Sequence, residues 1–462
     1  MTIERFTEEE AGRQAIEVCR IIKEAGKQAY LVGGCVRDTL MGRYCHDWDI
    51  ATDATPDQIL RLFDKVIPTG LKHGTVTVVR VTEEGSFTFE VTTFRGDGVY
   101  SDGRRPDSVV FSESIEQDLA RRDFTMNAIA YCPVDDRFVD PFGGAADILM
   151  RRIRAVGDPD KRFAEDGLRA LRACRFAATL EFEIDPPTLS AICRHHETFR
   201  RVSVERVAQE WAKILEAYTD PSVAFRLMAR TGLLWITVPE LEEAVGFEQN
   251  DYHEFDVFEH TMQALKNCPS LVVGLAALFH DVAKPSAAGT HPDTGKVTFY
   301  EHEERGAEMV KAILTRMKFP SHVTDQVSHL VRHHLIPRDN LSAAGLRRWL
   351  RRVSNGHPHT LGQLECLAFA DAIGKGNSKI RFSVSTVPEF FDRVRAMSAD
   401  RPVVTNASGL AINGNQIMET FQLKPGRMVG ELLSIALEAV TENPELNNPA
   451  DLMAFLKKHQ VK

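Results

Sequence analysis

The feature that most narrows what this chain can become is the string LVGGCVRDTLMGRYCHDWDIAT at 31–52. An apolar run from Ala29 to Val32 reads as a strand, and a short helix follows through Leu40. Gly33 and Gly34 fall at the junction. Residues without a Cβ there let backbone N–H groups approach a phosphate, and a helix start favours negative charge. Arg37, one turn into the helix, can reach the same anion. Downstream, Asp47 and Asp49 alternate on an apparent strand over 47–51, so both side chains point to one face. Two carboxylates on one face repel unless a cation lies between them, and Mg2+ is held by one or two carboxylates plus substrate phosphates. Two such ions can activate an attacking 3′-hydroxyl and stabilise a leaving pyrophosphate. Alone, Asp-x-Asp reads as a solvated strand end; the Gly-Gly and Arg37 just upstream make it a candidate phosphoryl-transfer site.

Around this string, helix 10–26 ends at Gly26, and the segments TVTVVRV (75–81), SFTFEVTTF (86–94) and AIAYCPV (128–134) read as strands. Mixed elements over the first 150 residues predict an α/β head with a small sheet. From about 160 the pattern is helical, with helices over 163–178, 187–195, 203–217 and 220–230 and more beyond, separated by loops near 284–297, 318–322 and 335–341. Segments 96–108, with Arg104 and Arg105, and 285–296 read as flexible loops.

The 462 residues favour two to four domains. No run of about 18 apolar residues predicts a membrane span. The polar, acidic start MTIERFTEEEAGRQ is not expected to be a signal peptide. Eight cysteines without a CxxC pair fit reduced thiols in a cytoplasmic protein. A net charge of −9 excludes a uniformly basic nucleic-acid binder but permits a local basic track. Residues 151–175 offer one: Arg151, Arg152, Arg154, Lys161, Arg162, Arg169, Arg172 and Arg175 stand against Asp158, Asp160, Glu165 and Asp166.

At this point the chain resembles the class II tRNA nucleotidyltransferase and bacterial poly(A) polymerase family, a branch of the polymerase-β-type nucleotidyltransferases. Five motifs carry the resemblance in order: GGCVRD followed by HDWDIAT, RRDFTMNAIAY (121–131), DPFGGAADILMRRIR (140–154), AEDGLRALRACRF (164–176) and RVSVERVAQE (201–210). The resemblance implies that Asp47 and Asp49 hold Mg2+ and that Gly33, Gly34 and Arg37 contact the triphosphate. Arg121, Arg122 and Asp123, with Asn127 nearby, would engage the sugar and phosphates. Asp166 and Arg169 would read the base, and Arg172 would join the nucleotide site. Glu90 is a weaker candidate for a third carboxylate found in many relatives.

Base reading has its own chemical logic. Asp166 and Arg169 are three apart on the helix expected over 163–178, hence neighbours on one face. An Asp accepts from the exocyclic amino group that cytosine and adenine both carry, whereas uracil and guanine present a carbonyl there and leave the Asp unmatched, which is costly. The loop at 96–108 argues against a CC-only member, and the short end DLMAFLKKHQVK is expected not to be the basic extension of a poly(A) polymerase.

A second constellation follows. Nine of the sixteen histidines fall between 253 and 334. His260 in VFEHTMQAL, His280-Asp281 in LAALFHDVAKP and Asp371 in FADAIGKG resemble the ligand set of the HD superfamily of metal-dependent phosphohydrolases. Imidazole with carboxylate suits a divalent transition metal. A His-Asp pair after an apolar run is costly to bury without a partner or a metal. His302, His333 and His334 stand where some HD proteins place further ligands, and Lys284 could contact a phosphate.

The expected fold class is α+β: a polymerase-β-type head at 1–150, a helical neck at 151–235, an HD domain at 236–380 and a helical tail at 381–462. The expected function is addition of CCA from CTP and ATP to the 3′ end of tRNA without a template, with the acceptor arm read by shape and backbone. Arg151, Arg152 and Arg154 would lie in the hinge. The expected cofactors are Mg2+ and, in the HD domain, a transition-metal divalent cation. The alternatives are an A-adding enzyme, a poly(A) polymerase and, from another class, an HD phosphohydrolase whose head only binds RNA.

Overall fold

The structure is a computed structural model that describes residues 6–45, 47–96, 111–249, 254–268, 270–337, 340–354, 359–376, 384–400 and 403–460. The expected loop at 96–108, with Arg104 and Arg105, lies outside the described residues beyond Gly96. The chain divides into two compact units, Met1–Pro239 and Glu240–Lys462.

In the first unit, helix α1 (Glu10–Glu24) buries Ala15, Val18, Cys19 and Ile22, the spacing of one helical stripe. It ends ahead of Gly26, whose φ of +77° turns the chain. Strand β1 (Ala29–Val32) follows, buried at all four positions. It lies inside a seven-stranded sheet of order β3-β4-β5-β2-β1-β6-β7. The other strands are β2 (Asp49–Thr52), β3 (Val66–Gly70), β4 (Thr75–Thr82), β5 (Gly85–Thr93), β6 (Ala130–Cys132) and β7 (Arg137–Val139). β2 and β5 run parallel with Asp49 opposite Glu90, and the other neighbours are antiparallel. Along β5, Phe89, Val91 and Thr93 are buried, so the period of two turns Thr88, Glu90 and Thr92 to the opposite face. That face carries the site.

One sequence expectation is corrected here. Asp47 stands outside β2, which begins at Asp49, so strand alternation does not align the two carboxylates.

Four short helices accompany the sheet: α2 (Gly34–Leu40), α3 (Pro56–Leu62), α4 (Ile115–Ala120) and α5 (Gly144–Leu149). Helices then take over with α6 (Pro159–Glu165), α7 (Leu168–Leu180), α8 (Pro186–Arg194), α9 (His196–Arg200), α10 (Val204–Leu215), α11 (Ser222–Arg230) and α12 (Leu233–Thr237).

A second correction concerns the single helix expected over 163–178. The chain breaks between α6 and α7, with Asp166 at φ −146°. The Asp166 Oδ1 accepts from the backbone N–H of Leu168 at 3.0 Å, a local bond that competes with helix continuation. Asp166 and Arg169 are therefore not i, i+3 neighbours on one helix. At the break, a Cβ on Gly167 would lie 2.5 Å from the Thr198 carbonyl oxygen.

The second unit is helical and built around two apolar helices, α13 (Val257–Leu265) and α14 (Leu271–Phe279). After the single turn α15 (Lys284–Ala287) come α16 (His302–Arg316), α17 (Ser321–Arg332), α18 (Ala343–Val353) and α19 (Thr360–Gly374). α14 packs against α13, α17 and α19, and α16 packs along α17. Of the segment expected as a loop at 285–296, residues 291–296 are the loop of a two-stranded antiparallel hairpin, Gly289–Thr290 with Val297–Thr298, and the first residues belong to α15. Strands of two residues are too short to show alternation in sequence. The last helices, Gly414–Phe421, Arg427–Glu442 and Pro449–Gln460, close on their own core of Ile417, Leu432, Ala436, Leu452 and Leu456. All eight cysteines are free thiols. No helix among the described residues is long and apolar enough to cross a membrane.

Because Gly167 abuts the Thr198 backbone, Gly167→Ala forces a shift at the α6–α7 break. It should cost about 1–3 kcal/mol of stability, the usual range for overpacking. Urea denaturation of the variant against the native chain measures this, and an unchanged midpoint would contradict the close approach.

Candidate functional sites

The sheet face of the first unit and helices α2, α7 and α10 line a cleft of about 1190 Å³. Every nucleotide-site residue named from the sequence reaches it: Gly33, Gly34, Arg37, Asp47, Asp49, Arg121, Arg122, Asp123 and Asn127 from the head, Asp166, Arg169 and Arg172 from the neck, together with Glu90. Gly33 is required by geometry. Its φ is +77°, and a Cβ there would lie 2.9 Å from Arg122 Nη1 and 3.8 Å from an Asp49 carboxylate oxygen.

Asp49 is half-buried at the start of β2, while Asp47 is exposed. Desolvation pushes the Asp49 carboxyl up to about 6; Arg122 opposes the rise, while Glu90 and Asp47 add to it. A carboxyl that resists ionisation beside two others is the electrostatic signature of a place that a divalent cation would neutralise. The donor set is all oxygen, as a hard cation requires.

Seven arginines also line the cleft, and buried carboxylates fix most of them. Asp123 accepts from Arg172 at 2.8 Å and from Asn127 at 3.0 Å, and Asn127 in turn accepts from Arg37 at 2.8 Å. Burial alone would raise the Asp123 carboxyl, but the Arg172 charge and these hydrogen bonds hold it well below the usual carboxylate range. Asp118, only 1% exposed, pairs with Arg121 at 2.7 Å and Arg122 at 3.1 Å. Its pKa is lowered as well, burial being outweighed by Arg122 and then Arg121. Buried Glu210 takes Arg175 at 2.6 Å. The Phe176 ring carries Arg37, Arg172 and Arg175 at 5.1, 5.3 and 4.0 Å from its centroid.

Asp166 and Arg169 meet in the cleft by a route the sequence did not show. Arg206 clamps the Asp166 carboxylate with two hydrogen bonds, at 3.2 and 2.7 Å. Arg169 is held by Glu165 at 2.6 Å and by the carbonyl oxygens of Arg162 and Arg121 at 2.9 and 2.8 Å. Asp118, Phe176, Arg206 and Glu210 were not singled out, and Arg175 was read only as part of the basic track at 151–175. Arg206 and Glu210 fall inside the motif at 201–210, but nothing in their spacing tells which side chains cross to another helix. Arg151 and Arg152 are exposed, and Arg154 pairs with Asp147 at 2.7 Å.

In the second unit, two groups of ligand-type side chains converge: His260, His280 and Asp371, and beside them Asp281, His302 and His334. The Nε2 atoms of His260 and His280 are 3.1 Å apart, and that of His260 lies 3.2 Å from Asp371 Oδ1. Asp281 links the two groups, with Oδ2 3.1 Å from His280 and Oδ1 3.5 Å from His302 and 3.9 Å from His334. His280, His302 and His334 each pair Nδ1 with a carbonyl three residues back, those of Ala277, Phe299 and Val331, at 2.7–2.8 Å. That bond turns Nε2 inward and fixes the tautomer a metal ligand needs. Burial and the neighbouring His280 and His302 push the His334 imidazole down to about 3, so its lone pair is available. His302 Nε2 is buried without a hydrogen-bond partner. These donors fit a divalent transition metal.

Of the three further histidines, His302 and His334 join the cluster, whereas His333 meets His329 edge to face with centroids 4.5 Å apart and stays outside it. α17 ends at Arg332 and His333 caps it at φ −117°, so the chain leaves the helix between the two histidines and turns them to different sides. Lys284 and Lys375 were not read as cluster partners, yet they pair with Asp281 and Asp371, each at 2.6 Å.

Comparison with known proteins matches three family models to the chain. A family model described as poly A polymerase head domain matches residues 29–154. One described as the probable RNA and SrmB-binding site of polymerase A matches 181–245, and an HD domain model matches 251–370. The CCA-adding enzyme of Levilactobacillus brevis is 38% identical over 70% of this chain and 75% of its own length. The solved structure of the Bacillus stearothermophilus CCA-adding enzyme in complex with CTP has a TM-score of 0.73 at 28% identity and covers 98% of both chains. The fold is also that of the Thermotoga maritima CCA-adding enzyme complexed with tRNA, at a TM-score of 0.60 and 18% identity over 99% of this chain and 98% of that one. The CCA-adding enzyme of Lactococcus lactis aligns over 99% of this chain and 100% of its own length at 33% identity, and on this evidence the chain belongs to the CCA-adding enzyme family, the nucleotidyltransferases with a poly A polymerase head.

Proposed function

We propose that this chain completes tRNA 3′ ends by adding C, C and A from CTP and ATP without a template. The observation that carries the reading is the single cleft in which Asp47, Asp49 and Glu90 meet a ring of arginines and the pair Asp166 and Arg169. In the reaction the acceptor 3′-oxygen bonds to the α-phosphorus of the incoming nucleotide. The bond from that phosphorus to the bridging oxygen breaks, and pyrophosphate leaves. Asp47 and Asp49 would hold Mg2+, with Glu90 beside them; when bound, the cations would lower the pKa of the attacking hydroxyl, whose proton passes to solvent, and would neutralise the leaving pyrophosphate.

The other residues position. Arg37, at the Gly33-Gly34 turn, and Arg121 and Arg122 present guanidinium forks to the triphosphate. Asp123 and Asn127 keep Arg172 and Arg37 in place, so no reorganisation is needed when the nucleotide arrives. Asp166, steered by Arg206, accepts from the amino group of cytosine or adenine, and Arg169 donates to a ring nitrogen or carbonyl. Single-strand and acceptor-stem recognition would rest on phosphate and sugar contacts.

A second activity is favoured by the two ligand groups of the HD unit. A cavity of about 350 Å³ opens onto Asp281, His302, His334 and Asp371, with Lys284, Lys296 and Lys375 in its wall. We infer a metal-dependent phosphohydrolase there, in which the lysines neutralise a bound phosphate ester.

The principal test uses tRNA transcripts ending before CCA, after one C and after two, with Mg2+ and CTP, ATP or both. Completion of all three to CCA is expected; extension of the last alone would instead mark an A-adding enzyme, and long A-tails on unstructured RNA a poly(A) polymerase. Asp47→Ala with Asp49→Ala should abolish incorporation and leave hydrolysis of p-nitrophenyl phosphate intact.

Asp166→Ala should lower kcat/KM for CTP and ATP about 10–100-fold, the worth of one charged hydrogen bond. It should also narrow their lead over UTP and GTP in single-turnover assays; unchanged selectivity would remove Asp166 from base reading. His280→Ala, assayed with Mn2+ or Ni2+, should remove the phosphohydrolase activity and spare nucleotide addition. Persistence of hydrolysis in that variant would rule out the HD cluster as its seat.

A further inference from the structure

A second cavity touches the same carboxylates. Along the free face of β5, Thr88, Glu90 and Thr92 follow one another, with Thr77 and Thr75 of β4 paired to Glu90 and Thr92. Thr77, Thr88 and Glu90 belong to the nucleotide cleft. One step further, Thr75 and Thr92 line a separate cavity of about 310 Å³ together with Arg95. The two cavities share Asp49, Glu90, Arg121 and Arg122. They are therefore successive rooms on one sheet face, joined at the carboxylates.

The second room is built for an anion. Arg95 Nη2 donates to Thr75 Oγ1 at 2.9 Å, and Thr75 Oγ1 is 3.0 Å from Thr92 Oγ1, which seats the guanidinium on the sheet. The backbone N–H of Arg95 donates to Asp118 Oδ1 at 3.2 Å. That same buried carboxylate holds Arg121 and Arg122. One acid thus sets three cationic residues around the cavity. In phosphoryl transfer the attacking and leaving oxygens lie roughly in line across the phosphorus. With the incoming nucleotide in the large cleft, its base at Asp166 and its phosphates at Gly33 and Gly34, the 3′-hydroxyl must reach the carboxylates from a neighbouring space. A cavity near the lower end of the about 300–1,000 Å³ range of small-ligand sites suits a single nucleotide rather than a helix.

We propose that this cavity receives the 3′-terminal nucleotide of the acceptor RNA and that Arg95 binds the phosphodiester on its 5′ side, an inference that rests on the nucleotidyltransferase reading above. Arg95 is a substrate-binding residue in this assignment, and Asp118 is its positioning residue.

The test uses the full chain with Arg95→Ala and Arg95→Lys, an RNA ending in two Cs, and ATP. Arg95→Ala should raise KM for the RNA about tenfold or more, leave KM for ATP within about twofold, and Arg95→Lys should recover part of the loss, as expected for a charge-assisted phosphate contact. Equilibrium ATP binding by Arg95→Ala equal to that of the native chain checks folding. RNA with a methylphosphonate between its last two nucleotides should weaken the native chain as much as Arg95→Ala does, and should cost the variant nothing further. A raised KM for ATP with an unchanged RNA KM would make the cavity a triphosphate site and overturn the assignment; so would full additivity of the two changes. A native chain that extends no RNA at all would instead sink the nucleotidyltransferase reading itself.

Discussion

The head is governed by the need to balance buried charge. Seven arginines cannot line one cleft unless acids hold them, and the unsolvated acids that do so are Asp118, Asp123 and Glu210. Each is almost fully buried and hydrogen-bonded to guanidinium groups, and Asp123 takes a further bond from Asn127. Removing one partner of such a pair leaves an uncompensated charge and commonly costs about 3–5 kcal/mol, so the network constrains both fold and site. Against this fixed positive wall stand the carboxylates Asp47, Asp49 and Glu90, which line the same cleft. The wall suits phosphates and the carboxylates suit cations, and the two meet along the strand pair β2 and β5.

The HD unit solves a related problem with imidazoles and carboxylates. Buried imidazoles are steered by backbone carbonyls three residues back, a contact that helical and turn geometry supplies without any extra side chain. Asp281 sits between both ligand groups and pairs with Lys284, and Asp371 pairs with Lys375. These lysines balance the carboxylate charge and also face the cavity where a phosphate ester would approach. The two units thus line their cavities by different means, one with arginine forks and the other with histidine and lysine.

Much of this architecture is legible in the amino-acid sequence. The alternation in 86–94 puts Glu90 and Thr92 on the face opposite Phe89 and Val91, and β5 follows it. The strand at Ala29–Val32, the Gly33 turn and the His-Asp pair after an apolar run all stand where the pattern puts them. The elements that depart from the pattern share a cause, which is local competition too short to leave a periodic trace. The Asp166 side chain caps the backbone at Leu168 and splits one expected helix into two. Two-residue strands close the expected loop into a short hairpin at 289–298, with 291–296 still the loop. Asp47 falls just short of the strand expected to align it with Asp49.

The sequence by itself determined the types of residue and the order of the elements, because hydrophobic period and glycine placement are properties of neighbours along the chain. It also determined that carboxylates, arginines and histidines occur in patterns suited to phosphate and metal chemistry. Only the tertiary structure decided which of them share a space. Arg206 reaches Asp166 across forty residues, Asp123 reaches Arg172 across forty-nine, and Asp371 reaches His260 from more than a hundred residues away. Such pairings depend on how helices and strands pack. Packing decides which side chains share a space, as it brought His334 into the cluster and left its neighbour His333 outside.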